Sequence, residues 1–216
     1  MIRVHGIDVL DTPQELLDPA RTAVVVIDMQ NEIVSNGGGY AKHGYDVSPI
    51  QAIVPTIGRL LDAARQCEIP VIYTEFVHRD RFGACLMDGP NTFLHRRAEW
   101  ISDVTEGTWA AATVDELAPR PGETVLAKSR ASALCHTGLE GLLKDRGIDC
   151  VLLVGCLSDG CVLKTAIDMT HHGFYAMVVS DAVASMNPES HRLGLDYLAL
   201  KVPIFTSAEV LAVWGG

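Results

Sequence analysis

Basic residues are scarce in this chain. Lysine and arginine number 17 against 27 acidic residues, a formal net charge of −10 over 216 residues. A surface with that balance repels phosphate backbones and anionic lipid, so neither nucleic acid nor a membrane surface is an expected partner. No apolar run is long enough to span a bilayer. The opening stretch, MIRVHGIDVLDTPQELLDP, mixes charged and apolar residues and is expected to be neither a signal peptide nor a membrane segment. The cysteines at 67, 85, 135, 150, 156 and 161 form no CxxC pair and no disulfide framework. They read as reduced thiols of a cytoplasmic protein. Repeats and low-complexity tracts are missing too. The glycine triplet at 37–39 lacks the GKS or GxGxxG context of a nucleotide cradle. What is present is 48% hydrophobic and 20% charged residues, the composition of a globular protein. The length suits a single domain over 1–216.

Thr22–Asp28, TAVVVID, is the strongest strand signal: β-branched, without alternation, and so fit for the centre of a parallel sheet. Further strands are expected at 70–76, 123–128, 151–154, 174–179 and 203–205. Helices are expected from Ser48 through Gln66, from the capping box Thr137–Glu140 to Gly147, from about Cys161 to His172, over 188–200 and over 207–213. Residues 1–20 read as a surface leader and 31–45 as a loop. Residues 78–121 form a long irregular region of the kind that serves a site. The alternation implies an α/β protein: a three-layer, doubly wound fold around a six-stranded, mainly parallel sheet.

Parallel strands turn their C-terminal ends to one edge, where ligands bind. Asp28, Lys128 and Cys161 sit at or just past such ends. In CVLLVGCLSDGCV a strand ends at Gly155, Ser158 or Asp159 can cap a helix, and Cys161 falls in its first turn. The dipole and free N–H groups there favour a thiolate. A cysteine attacking a carbonyl needs an ionised sulfur, a proton donor for the leaving group and donors for the oxyanion. Asp28 can shuttle the proton, Lys128 can hold both anions, and the N–H groups of Leu157 and Cys161 can face the oxyanion. The plain alternatives are a small buried Cys161, an Asp28 that caps its own turn and a solvated Lys128.

Three segments carry a resemblance: AVVVIDMQN, VLAKSRASAL and VGCLSDGCVLKTAIDMTHHGF. In order, over residues 20–206, they resemble the signatures of the isochorismatase-like cysteine hydrolases. The resemblance implies a catalytic triad of Asp28, Lys128 and Cys161, no cofactor, and a cis peptide at Cys156–Leu157 that aims amides at the oxyanion. Ser158 stands where the family often has threonine. The cysteine favours C–N hydrolysis through a thioester over the vinyl-ether cleavage of isochorismatases proper. In YTEFVHRDR, Phe76 replaces the aspartate of the nicotinamidase metal pair, although His78 remains, so no metal is expected. GGGYAKHGYDVSPIQAIVPTI resembles a stretch in biuret and ureidoacrylate amidohydrolases, and the S-D-G-C form resembles N-carbamoylsarcosine amidase. The implied substrate is a small amide or ureido compound, and the implied assembly a homodimer or homotetramer.

Gln30, two residues past Asp28, can orient substrate or the aspartate, or bond to loop backbone. Phe93, Trp100 and Trp109 can wall a pocket or simply pack. Arg79, Arg81 and Arg130 can bind a substrate carboxylate; a solvated or structural role is simpler for each. Cys156, Cys161, His171 and His172 do not make a zinc site, because the helix carries the histidines roughly 15 Å from Cys161. A vinyl-ether hydrolase and a non-catalytic binding module are the alternatives to an amidohydrolase.

Overall fold

Six apolar runs pair into one sheet. A computed structural model describes residues 1–82, 84, 86 and 104–215; Cys85, Phe93 and Trp100 lie outside the described residues. The strands are β3 (Thr22–Ile27), β4 (Val71–Phe76), β5 (Thr124–Lys128), β6 (Cys150–Cys156), β7 (Tyr175–Ala184) and β8 (Ile204–Phe205). They lie in the order β5-β4-β3-β6-β7-β8, and every pair is parallel. The order reverses between β3 and β6, so the crevice at their C-terminal ends is the topological switch point of a doubly wound sheet.

Strand periodicity sorts the core into two faces. Val24, Val26, Leu152 and Val154 pack with Ile50, Ile57 and Leu61 of helix α4 (Ser48–Gln66) and Trp214 of helix α8 (Ser207–Trp214). Ala23, Val25, Ile27, Val151 and Leu153 pack on the other face. There they meet Leu139 and Leu143 of α5 (Leu139–Asp145), Val162 and Met169 of α6 (Cys161–His171) and Leu198 of α7 (Pro188–Ala199). Three layers result, as the alternation of apolar runs implies. Among the described residues no helix is long and apolar enough to cross a membrane.

Several local expectations change. Residues 1–20 hold a hairpin, β1 (Ile2–Val4) with β2 (Ile7–Val9), and a short helix α1 (Pro13–Leu16). Leu16 and Leu17 are buried, and Leu17 O accepts from Trp214 Nε1 at 2.9 Å, so this segment is tied into the core. The expected loop 31–45 contains helices α2 (Asn31–Val34) and α3 (Gly39–Lys42). The glycine triplet is what lets α3 fold back on α2: a Cβ on Gly38 would come 2.4 Å from Asn31 O, and Gly39 N donates to Glu32 Oε2 at 2.9 Å. The capping box at Thr137–Glu140 does not form. Thr137 Oγ1 bonds to Ala133 O instead, and Glu140 pairs with Lys144 and His172. β7 runs to Ala184, past the expected end at Val179, with a shift of register against β6 between Leu153 and Gly155.

Gly155 brings β6 against β3 just before the sheet edge. Its φ is +110°, and a Cβ there would lie 2.2 Å from Ile27 O. Backbone cannot yield as a flexible side chain can. Gly155→Ala is therefore expected to lower unfolding free energy by roughly 2–4 kcal/mol in urea titrations. A loss below about 0.5 kcal/mol, the size of a neutral surface change, contradicts the packing described.

Candidate active site

The end of β3 sets the first group. Asp28 has φ +51°, a left-handed conformation that aspartate tolerates better than most residues. Its N–H donates to Thr74 O at 3.2 Å and to Thr74 Oγ1 at 3.3 Å. The buried Cys156 thiol donates to Asp28 O at 3.2 Å. Burial, with Asp28 and Cys161 close by, pushes the Cys156 thiol well above the ordinary range and keeps it a neutral donor. The carboxylate is held as firmly: Thr74 Oγ1 donates to Oδ1 at 2.7 Å, and Lys128 Nζ lies 2.7 Å from Oδ2.

Lys128 ends the edge strand β5 and reaches back across β4. Its side chain is fully buried, with Nζ 4.6 Å from the centre of the Phe76 ring. Nζ donates to Arg130 O at 3.1 Å, to Ala131 O at 3.3 Å and to Cys161 Sγ at 3.3 Å. Ala133 N in the same loop donates to Thr165 Oγ1 of α6 at 2.9 Å, which fastens the carbonyl cradle to the helix carrying Cys161. Burial disfavours the ammonium, but Asp28 and Cys161 outweigh it and hold the Lys128 pKa above the usual lysine value.

Cys161 is the first residue of α6, as its spacing implies. Neither Ser158 nor Asp159 caps that helix; Gly160 takes the cap position and no side chain bonds there. The expected low thiol pKa is also corrected. Burial pushes the Cys161 thiol up to about 12; Lys128 opposes the rise, while the Asp28 charge and a hydrogen bond from the thiol to it add to the rise. Lys128 and Asp28 are thus in direct contact at 2.7 Å, and the Cys161 thiol, its pKa raised by burial, sits beside them with Sγ 3.3 Å from Nζ. Asp28 and Lys128 are buried, whereas Cys161 as a residue is partly exposed.

The Cys156–Leu157 peptide is cis. Leu157 O accepts from Gly160 N at 2.9 Å and Val162 N at 3.1 Å, which folds the turn over the start of α6. The N–H groups of Leu157 and Cys161 have no acceptor among the described residues. The other candidates sit outside this cluster. Gln30 spends its amide on backbone: Oε1 accepts from Phe76 N at 2.7 Å, and Nε2 donates to Phe76 O at 3.0 Å and Ala111 O at 2.8 Å. It clamps the ends of β3 and β4 together, which is the backbone-bonding alternative for this residue. Trp109 is 58% exposed and lies against Gly37. Arg81 pairs with Glu106 at 2.7 Å, and Arg130 Nη1 donates to Leu86 O at 3.2 Å. The Phe76 ring stands edge-on to His78, with ring centroids 5.0 Å apart.

Thr74 is a residue of this cluster that sequence reading missed. Its signal was an aliphatic hydroxyl at the end of the run VIYT; the fold sets it in register with Ile27, just before Asp28.

A thiol of this kind has a distinctive reactivity. Iodoacetamide should label Cys161 about tenfold faster per pH unit from pH 7 to 10, without a plateau. Asp28→Asn removes the charge that raises the thiol and leaves the lysine that lowers it. Labelling of Cys161 at pH 8 should then quicken by about tenfold. A neutral-pH plateau in the wild type, or slower labelling in the variant, contradicts the neutral-thiol state; peptide mass spectrometry reads both.

Known proteins resemble this chain over most of its length. Residues 22–210 match the family model described as isochorismatase domain. The ureidoacrylate amidohydrolase RutB of Methylobacterium radiotolerans is 33% identical over 203 residues, covering 88% of this chain and 79% of that protein. A cysteine hydrolase from Pseudomonas syringae pv. phaseolicola superposes with a TM-score of 0.80 at 26% identity, over 92% of this chain and 94% of that one. N-carbamoylsarcosine amidase from Thermoplasma acidophilum superposes with a TM-score of 0.69 at 26% identity, over 87% and 96%. By the match along its length and by its fold, the chain belongs to the isochorismatase family.

Proposed function

We infer that this protein is a cysteine-dependent amidohydrolase that opens a C–N bond of a small ureido or carboxamide compound. One observation carries the inference: a cysteine thiol, a buried carboxylate and a buried ammonium meet at the switch point, with Lys128 Nζ 2.7 Å from Asp28 and 3.3 Å from Cys161. The names of the relatives, ureidoacrylate amidohydrolase and N-carbamoylsarcosine amidase, point to the ureido class.

The chemistry follows from the arrangement. Sγ attacks the carbonyl carbon as its proton passes to Asp28, so the thiolate is made only when it is used. Lys128 offsets the negative charge throughout. The N–H groups of Leu157 and Cys161 receive the oxyanion. The C–N bond breaks, and the Asp28 proton goes to the leaving nitrogen, as ammonia or an amine. A thioester remains on Cys161. Water adds to it with Asp28 as base, the C–S bond breaks, and the sulfur regains its proton. A carbamate product decays to carbon dioxide and ammonia where the amine left first, or to carbon dioxide and the amine where ammonia did. No step needs a cofactor.

Compartment and assembly belong to the same inference: a cytoplasmic enzyme working as a homodimer or homotetramer. The described cysteines, Cys67, Cys135, Cys150, Cys156 and Cys161, are all unpaired, which suits a reducing compartment. Leu193, Tyr197 and Leu200 on and just past α7 are 53%, 46% and 77% exposed, an apolar face that a second copy can cover.

A panel of small N-carbamoyl compounds and carboxamides, assayed for ammonia, tests the activity. Release from at least one ureide is expected, with a loss of about 10³-fold or more in Cys161→Ala. Undiminished release in that variant ends the nucleophile assignment. Cleavage of a vinyl ether that survives Cys161→Ala identifies the isochorismatase-type reaction instead.

A further inference from the structure

The segment from Leu157 to Cys161 carries the amides assigned to the oxyanion, and its side-chain anchor comes from another helix. Ser158 is fully buried. Its N–H donates to Ala184 O at 2.9 Å, and its hydroxyl lies 2.8 Å from Nδ1 of His191 on α7. Among the described residues that nitrogen is the hydroxyl's one side-chain partner. A buried O–H left without an acceptor is costly, and Nδ1 is the side-chain atom placed to accept it when the ring hydrogen is on Nε2. One turn further along α7, the helix backbone bears on the same segment. A Cβ on Gly194 would lie 3.0 Å from Ser158 O and 3.1 Å from Asp159 Cα. The start of α7 does not need His191, since Asn187 caps it through Ser190 N at 2.9 Å and Pro188 opens it.

We propose that His191 is a positioning residue: through Ser158 it holds the turn after the cis peptide so that the Leu157 and Cys161 amides converge on the reacting oxygen. His191 touches no substrate atom in this arrangement. Ser158 is the intermediary, and Gly194 permits the close approach. The inference rests on the cysteine mechanism proposed above.

Reversible addition of ¹³C-labelled acetaldehyde to Cys161 tests it, because the thiohemiacetal oxygen uses the same amides. The wild type should show a thiohemiacetal resonance that is absent in Cys161→Ala. His191→Ala should weaken that adduct about fivefold or more. It should also lower kcat on the best ureide about tenfold, with KM within about twofold and an unchanged melting temperature. His191→Asn, whose amide oxygen sits near the position of Nδ1, should restore most of both. Gly194→Ala, which crowds the turn from the helix backbone, should act in the same direction as His191→Ala. Equal adduct in wild type and His191→Ala overturns the proposal while leaving the nucleophile standing. So does an asparagine variant no better than alanine, or a loss of activity matched by a lower melting temperature in all three variants. A wild type with neither adduct nor turnover overturns the cysteine mechanism, and this proposal with it.

Discussion

A buried ammonium facing a buried carboxylate organises this molecule. Lys128 and Asp28 meet at 2.7 Å with both side chains shut off from solvent. Removing two such charges from water costs several kcal/mol per ion, and their attraction offsets this only when the remaining hydrogen-bonding capacity is filled. Here it is. Thr74 takes the second carboxylate oxygen, while the carbonyls of Arg130 and Ala131 and the face of Phe76 surround the ammonium. The pair is a poor means of stabilising a fold, since an apolar pair of equal volume does as well or better. Its use is to keep a charge of each sign beside one sulfur.

The sheet makes that meeting possible. Asp28 and Cys161 leave adjacent strands at the point where strand order reverses, and Lys128 arrives from the edge, two strands from β3. The continuous apolar runs of β3 and β6 bury both sheet faces and fix their register, Ile27 opposite Gly155. Gly155 then lets β6 close on the backbone of β3 directly beneath the site. Register is discrete, because a slip of one residue turns every side chain to the other face. Core packing at Val24 or Leu152 therefore determines distances at the edge where Asp28, Lys128 and Cys161 meet.

The strands and the placement of three chemical groups on one rim were legible because both are written in local pattern. β-branched runs without alternation announced a two-sided parallel sheet, and polar residues at their ends announced the edge. Less was legible where local motifs compete with tertiary partners. Thr137 and Glu140 have the spacing of a capping box, yet Glu140 finds Lys144 and His172 instead. Ser158 has the chemistry of a cap, yet its hydroxyl goes to His191, a helix away. The thiol pKa was misjudged for the same reason. A helix start alone lowers it, but burial beside Asp28 wins in the folded site. Thr74 and His191 stayed hidden because their partners, 46 and 33 residues distant, become neighbours only in the fold.

Rapid-quench mass spectrometry of the enzyme mixed with a turned-over ureide tests the central claim most directly. The expected result is an intact-mass increase equal to a carbamoyl or acyl group, transient on the time scale of turnover and mapped by peptide digestion to Cys161. Turnover with no adduct at any quench time, or an adduct mapped to another residue, would contradict a mechanism in which the Cys161 sulfur opens the carbon–nitrogen bond.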